Sequence, residues 1–159
     1  MTEPEFKRIY KEYGQRLYGF IMWLTRNRAA SDDILQNVFV NIWKSPIAPS
    51  TDTELQRWLF TIARNATLDH FRKVTRYSRF RTHYQNEYYE PPADPDAHFT
   101  WDELSELPVK ERSILYLHLK IGYTYREIGD MMEISENLVR VRAFRALRKL
   151  REKLSRKEI

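Results

Sequence analysis

Arginine residues and one phenylalanine recur along a single side of the last long helical stretch of the chain. At about 100° per residue, that side carries mostly basic and aromatic side chains: Asn137, Arg140, Val141, Phe144, Arg145, Arg148 and Arg151. Arginine can contact DNA phosphates or the edge of guanine, and phenylalanine can pack on the methyl group of thymine. The pattern therefore indicates a helix that contacts DNA. The alternative is a solvated arginine-rich helix whose Phe144 lies in the core.

The elements around this helix predict a helix-turn-helix. Its opposite stripe is apolar and must be buried: Val139, Ala143, Ala146, Leu147, Leu150 and Leu154. A short helix is predicted before it, over residues 125–132, because Thr124 and Glu127 form a capping box. Residues 133–134 make a tight connection, and Ser135 is the next N-cap. This arrangement sets the second helix in the major groove.

A second group of polar residues lies on a long predicted helix in the first half of the chain. Within residues 54–73, Asn65, Asp69 and Arg72 come round on one side, with aromatic and hydroxyl residues beside them. Such a mixture is typical of surfaces that bind DNA grooves or single strands. The alternative is that Asp69 only pairs with Arg72 or Lys73 one turn away. The buried stripe of this helix is predicted from its apolar residues: Leu59, Ile62, Ala63, Ala66 and Val74.

Two further helices are predicted ahead of it. Helical spacing of apolar residues predicts the first over residues 3–26. Ser31 is predicted to cap the second, which puts Asp32 and Asp33 in its first turn, where the helix dipole favours anions. Because the second helix is apolar around much of its circumference, either it is the centre of a bundle or one flank meets a separate protein. A further capping box, at residues 51–54, begins the long helix described above.

Composition favours a helical protein with an anionic partner. The 159 residues include 27 Lys and Arg against 22 Asp and Glu, a net charge of +5, and no cysteine. Disulfides and cysteine-based metal sites are therefore excluded, and the four histidines lack metal-binding spacing. Without a catalytic motif, we expect no metal, no cofactor and no enzymatic activity. We also expect a cytoplasmic protein without membrane insertion, because neither a signal peptide nor a membrane-spanning run is found.

Charge is distributed along the chain in blocks that predict two domains. Residues 57–81 carry seven Lys or Arg and one acid, whereas residues 87–111 carry eight acids and one lysine. We interpret residues 83–100 as an acidic, proline-containing, flexible linker. The predicted fold is all-α, with one small helical domain over residues 1–82 and another, containing the helix-turn-helix, over residues 101–159.

The second predicted domain begins with an apolar helix. Pro108 is expected at its first helical position, and Gly122 is expected to be its C-cap.

Three segments, in this order, resemble an extracytoplasmic-function (ECF) sigma factor of bacterial RNA polymerase. SDDILQNVFVNIWK resembles the region-two helix that binds the polymerase. RWLFTIARNATLDHFRK resembles the region-two helix that faces the minus-ten promoter element, and its form W-L-x-x-I-A-R-N is specific. The stretch from Leu107 to Arg151 resembles region four, which reads the minus-thirty-five element. The resemblance covers nearly the whole chain.

This resemblance implies a promoter-specificity subunit that binds core RNA polymerase and promoter DNA and assists promoter melting. The implied partners are the β′ clamp helices and β flap of the polymerase, the minus-ten and minus-thirty-five elements, and an inhibitory anti-sigma factor. The residues implied to contact the clamp helices are Asp33, Gln36 and Asn37. Those implied for the minus-ten element are Arg64, Asn65, Asp69 and Arg72. Those implied for the minus-thirty-five element are Asn137, Arg140, Val141, Phe144, Arg145 and Arg148.

Two other functions are compatible with parts of the chain. A stand-alone helix-turn-helix regulator, binding an operator without polymerase, explains residues 101–159 but leaves RWLFTIARNATLDHFRK without a role. A catalytic nucleic-acid enzyme, such as a transposase fragment, needs an acidic metal triad, and Asp32, Asp33 and Asp69 do not supply an obvious one.

Overall fold

The computed structural model describes residues 1–78 and 106–157, and every regular element among them is a helix. The all-α prediction is confirmed. The chain divides into two compact units, Met1–Tyr89 and Glu90–Ile159. The predicted linker, residues 83–100, and the predicted domain boundaries beside it lie outside the described residues.

Within residues 1–78, the first unit contains three helices, and each packs against the other two. They are α1 (Glu3–Thr25), α2 (Arg28–Lys44) and α3 (Asp52–Ser78). Apolar residues at helical spacing face inward from all three: Leu17, Phe20, Ile21, Leu24, Ile34, Val38, Ile42, Leu59 and Phe60. The rings of Phe20 and Phe60 meet edge to face with centroids 5.3 Å apart, which locks α1 against α3.

Helix α2 begins four residues before the predicted start. Its N-cap is Asn27, whose side chain accepts a hydrogen bond from the N–H of Ala30 at 2.8 Å. Ser31, the predicted cap, is instead buried, and its hydroxyl lies 2.6 Å from that of Thr25 on α1. Asp32 and Asp33 consequently lie in the second turn, so the predicted first-turn role of these acids was wrong.

Helix α3 begins as predicted but extends past the core. The hydroxyl of Thr51 accepts a hydrogen bond from the N–H of Glu54 at 3.2 Å. From Arg72 to Arg76 every side chain is exposed, and Val74, predicted to be buried, is 40% exposed. The last turns of α3 are therefore a solvated helix with basic residues on it.

Within residues 106–157, the second unit contains three helices. They are α4 (Val109–Leu115), which continues into a π-helical segment (Tyr116–Ile121), α5 (Tyr125–Met132) and α6 (Glu136–Lys157). Their core is formed by apolar residues of all three helices and the π-helical segment: Ile114, Leu115, Leu117, Ile128, Val139, Ala143, Ala146 and Leu150.

The sequence predicted one residue at each end of α4, and the structure moves the first of them by one position. Pro108 is the N-cap, one residue before the first helical position, because its ψ of 149° is extended. Gly122 has a φ of 97° and ends the π-helical segment, so its predicted role as a C-cap is confirmed.

Helices α5 and α6 form the predicted helix-turn-helix. The capping box is present: the hydroxyl of Thr124 accepts from the N–H of Glu127 at 3.1 Å, and the Glu127 carboxylate accepts from the N–H of Thr124 at 3.3 Å. Glu133 adopts a left-handed conformation with a φ of 57° and ends α5. The hydroxyl of Ser135 then accepts from the N–H of Leu138 at 3.1 Å and begins α6.

Gly129 allows the turn to approach α5 closely, and this predicts the effect of a substitution. A Cβ atom at this position would lie 2.8 Å from the carbonyl oxygen of Ile134 and 3.3 Å from the nitrogen of Glu136, both backbone atoms. Overpacking of this kind costs about 1–3 kcal/mol, against a gain of up to ~1 kcal/mol in helix propensity. We expect Gly129→Ala to lower the free energy of unfolding of the second unit by about 1 kcal/mol, measured by amide hydrogen exchange.

Gly14 supplies the matched control. It lies within α1, and a Cβ atom there would meet nothing within 4 Å. Gly14→Ala should therefore stabilise the first unit by about 0.5–1 kcal/mol. If both substitutions stabilise their units, the close approach at Gly129 does not constrain the turn.

Candidate nucleic-acid interface

One side of α6 presents the basic and aromatic residues to solvent. Phe144 is 59% exposed, which excludes the alternative that it lies in the core. Five of the six predicted residues are exposed: Asn137, Arg140, Phe144, Arg145 and Arg148. Val141 is only partly exposed, so it offers less surface than its neighbours. The exposed side is therefore cationic with a large apolar ring in it, a composition suited to phosphates and base edges.

An ion pair lies at the N-terminal end of this face. Arg140 donates a hydrogen bond from Nη2 to Oε1 of Glu136, one turn earlier, at 3.1 Å. Both side chains are 47% exposed. Nothing in the hydrophobic pattern distinguished Glu136, and sequence reasoning did not assign it to the site.

The candidate residues on α3 fall into two environments. Asn65, Asp69 and Arg72 are exposed, and the carboxylate of Asp69 accepts a hydrogen bond from Arg72 Nη1 at 3.1 Å. The expected pairing within the helix is thus present, although pairing of such exposed groups is weak and leaves them available to a ligand. Arg64 is buried, and its Nη1 lies 3.5 Å from Oδ1 of Asn65. In the free chain, the Arg64 side chain therefore packs against protein, next to the exposed Asn65.

Exposed basic residues also occur farther along α3. Lys73 and Arg76 lie in the solvated last turns of the helix. Sequence reasoning counted them in the basic block without assigning them to a site, because periodicity alone could not show where the core ends.

Helix α2 has one buried side and one polar side. The buried side faces α1 and α3, and because the opposite side is exposed, α2 is not the centre of a bundle. Asp33, Gln36 and Asn37 are all exposed, and their spacing of three and four residues puts them on one side of the helix. Val40 and Trp43 continue the exposed surface toward the C-terminal end of α2, at 47% and 49% exposure.

His70 on α3 responds electrostatically to Asp33 on α2. Partial burial lowers the pKa of His70 below its ordinary value of 6.5, the charge of Asp33 opposes this effect, and Lys73 adds to it. The ring also meets that of Phe71 edge to face, with centroids 6.0 Å apart. The charge of Asp33 on the surface of α2 therefore influences the pKa of His70 on α3.

This electrostatic arrangement predicts a pH dependence of stability. Because the folded chain holds His70 with a depressed pKa, the unfolded chain binds more protons below pH 6.5, so stability falls as pH falls. We expect the urea midpoint of the first unit to decrease from neutral pH to about pH 5. His70→Gln should reduce this decrease and Asp33→Asn should enlarge it. An unchanged slope in His70→Gln would assign the pH dependence to other groups.

The described residues include neither a cluster of potential metal ligands nor a helix that could span a membrane. No group of three or more histidine, aspartate or glutamate residues there could hold a metal ion. None of the helices described is long and apolar enough to cross a membrane.

The two units correspond to two known family regions. Residues 9–77 match the family described as Sigma-70 region 2, and residues 104–152 match Sigma-70, region 4. The RNA polymerase sigma factor CarQ of Myxococcus xanthus is 32% identical over 99% of this chain and 94% of its own length. The chain belongs to the ECF group of RNA polymerase sigma factors. It is a promoter-specific transcription initiation factor, as the resemblance implied.

Other relatives agree with this membership. The ECF sigma factor SigM of Bacillus subtilis is 27% identical over 90% of this chain and 91% of its own length. SigL of Mycobacterium tuberculosis is 27% identical over 90% of this chain and 85% of its own length. The stand-alone regulator considered above is not favoured, because the match to region 2 extends to residues that it leaves without a role.

Solved structures of sigma factors share the fold. The sigma factor RpoE, in complex with the anti-sigma factor NepR from Bartonella quintana, superposes with a TM-score of 0.79 at 22% identity, over 95% of this chain and 97% of that one. CnrH, in complex with the cytosolic domain of CnrY, superposes with a TM-score of 0.68 at 21% identity, over 97% and 90%.

Proposed function

We propose that this sigma factor directs core RNA polymerase to promoters through three exposed helical surfaces, one on each of α2, α3 and α6. The observation that carries the proposal is the face of α6, where an exposed phenylalanine lies among arginines on the second helix of a helix-turn-helix. In this proposal α6 enters the major groove of the minus-thirty-five element. Its arginines contact phosphates and guanine, and Phe144 packs against a thymine methyl.

Helix α3 is proposed to bind the minus-ten element. Its exposed side chains supply both hydrogen-bond donors and hydrogen-bond acceptors, from Asn65, Asp69 and Arg72. Base edges present donors and acceptors, whereas phosphates only accept, so this mixture suits base edges better. The predicted role of Arg64 is modified in this proposal: because it is buried, it supports Asn65 until the helix engages DNA. The segment of residues 45–53, which resembles the base-capturing loop of the family, is proposed to capture a flipped base, which begins strand separation. Residues 52–53 of this segment already belong to α3. Opening each base-pair step costs about 1.4 kcal/mol, so capture of one flipped base allows strand separation to begin with a single step.

Helix α2 is proposed to bind the polymerase. The polar stripe of Asp33, Gln36 and Asn37 meets the β′ clamp helices, and the second unit meets the β flap. One side of α2 packs against α1 and α3, and the opposite side is exposed. This exposed side is accessible to a partner, which supports the proposed role. An anti-sigma factor that covered these surfaces would inhibit the chain, and the cytoplasm is the compartment in which all of these partners meet.

Run-off transcription tests this proposal. Purified core RNA polymerase is incubated with a library of promoter fragments, with and without the chain. Specific transcripts that appear only when the chain is added, together with weak DNA binding by the chain alone, are the expected result. Salt-sensitive nanomolar binding to one site by the chain alone, without transcripts, would overturn the proposal and favour an operator-binding regulator.

A further inference from the structure

Glu136, the acidic partner of Arg140 in the ion pair at the start of α6, has no role in the surfaces proposed above. Glu136 accepts a hydrogen bond from Arg140 at 3.1 Å, in the first turn of α6. Helix-turn-helix proteins direct this end of the second helix at the edges of the bases. A carboxylate there lowers affinity for DNA, because it repels the phosphates. Apart from accepting a hydrogen bond from the amino group of a cytosine, Glu136 gains nothing from DNA directly, so other benefits of this residue matter.

Helix stability is one possible benefit. An acid in the first turn interacts favourably with the helix dipole, and a Glu–Arg pair four residues apart adds modest support. An aspartate at position 136 would keep the dipole interaction but is one methylene shorter. Substitution by aspartate can therefore separate the interaction with the helix dipole from the pairing with Arg140.

The geometry of Arg140 provides a second benefit. A guanidinium has five N–H donors in a fixed plane, and the bond to Glu136 uses a donor on Nη2. The remaining donors can still make the two parallel bonds that guanine accepts at O6 and N7. An unrestrained arginine can reach phosphates as readily as bases. An arginine paired with a carboxylate adopts fewer orientations, and because its charge is partly neutralised, it attracts phosphates less strongly.

We propose that Glu136 is a positioning residue that restrains Arg140 for pairing with a guanine of the minus-thirty-five element. Glu136 then contributes to sequence specificity without contributing to DNA affinity. The inference rests on the proposed function of α6. It differs from that function in assigning base selection at one position to an acidic residue.

The test uses the holoenzyme, assembled from core polymerase and the full chain, on promoter fragments randomised across the minus-thirty-five element. The position read by Arg140 is identified as the one whose base preference disappears in Arg140→Ala. Glu136→Gln is expected to reduce the preference at that position by about tenfold, to leave other positions unchanged and to raise affinity for unrelated DNA. Combining it with Arg140→Ala should cause no further loss.

Two variants separate positioning from helix stability. Glu136→Asp should lose preference to the same extent as Glu136→Gln, because its carboxylate lies one methylene closer to the backbone and does not hold Arg140 in the same orientation. Glu152→Gln, on an exposed glutamate farther along the same helix, should leave every preference intact. Full preference in Glu136→Asp, or no position lost in Arg140→Ala, would overturn the inference. Absence of promoter selection by the unaltered holoenzyme would instead overturn the proposed function.

Discussion

Replacing Asp33 with alanine is expected to lower affinity for core RNA polymerase by about 30-fold or more. Truncating one partner of a hydrogen-bonded charge pair at a buried interface costs about 2–5 kcal/mol, and the lower limit corresponds to about 30-fold. Asp33 is exposed on the polar side of α2, so its removal should not disturb the bundle. The dissociation constant for core polymerase, measured by fluorescence anisotropy, gives the effect directly.

Asp32 is the matched control for this substitution. It is exposed, precedes Asp33 directly and carries the same charge, but it lies about 100° away around the helix. Asp32→Ala should therefore leave the affinity nearly unchanged. Both variants are best compared at about pH 7.5, above the ordinary pKa of histidine, because Asp33 also influences His70. Equal losses in the two variants would mean that net charge, and not the stripe on α2, governs polymerase binding.

Local sequence signals predicted much of the helix-turn-helix. The capping box of Thr124 and Glu127 and the N-cap at Ser135 depend on residues within one turn of each other, and the structure confirms both. Helical periodicity also favoured an exposed Phe144, and the structure excluded the alternative that this ring lies in the core. These features need no knowledge of distant contacts, which is why a single sequence sufficed for them.

The start of α2 depends on tertiary contacts and was therefore predicted wrongly. Asn27 and Ser31 are both good N-caps, four residues apart, and sequence offers no means of choosing between them. The hydrogen bond between Ser31 and Thr25, which lies on α1, occupies the serine hydroxyl and buries it. The choice was decided by packing between two helices.

The helical spacing of apolar residues also could not predict how far the core extends along each helix. Val74 continues the apolar stripe of α3, yet it is 40% exposed. Arg64 and Asn65 are adjacent in sequence, yet one is buried and the other exposed. The π-helical segment Tyr116–Ile121 likewise departs from the period of 3.6 residues on which the prediction depended. The polymerase-binding role proposed for α2 came from resemblance to a family, because exposure alone does not identify a partner.

Phe144 and Leu150 of α6 are expected to respond in opposite ways to replacement by alanine. Phe144→Ala should lower specific transcription about tenfold, because a lost base contact typically costs about 1–3 kcal/mol. Since Phe144 is 59% exposed, the free energy of unfolding should change by less than ~0.5 kcal/mol. Leu150 is fully buried, so Leu150→Ala should lower the free energy of unfolding by about 2–5 kcal/mol.

The two substitutions together separate recognition from folding on one helix. Transcription from a promoter library and urea unfolding are measured for both variants. Where the second unit remains folded, Leu150→Ala should keep the base preferences of the unaltered chain, whereas Phe144→Ala should lose the preference for thymine at one position. If Phe144→Ala instead destabilises the second unit and keeps every base preference, the ring supports the fold. The DNA-facing side of α6 would then consist of its arginines alone.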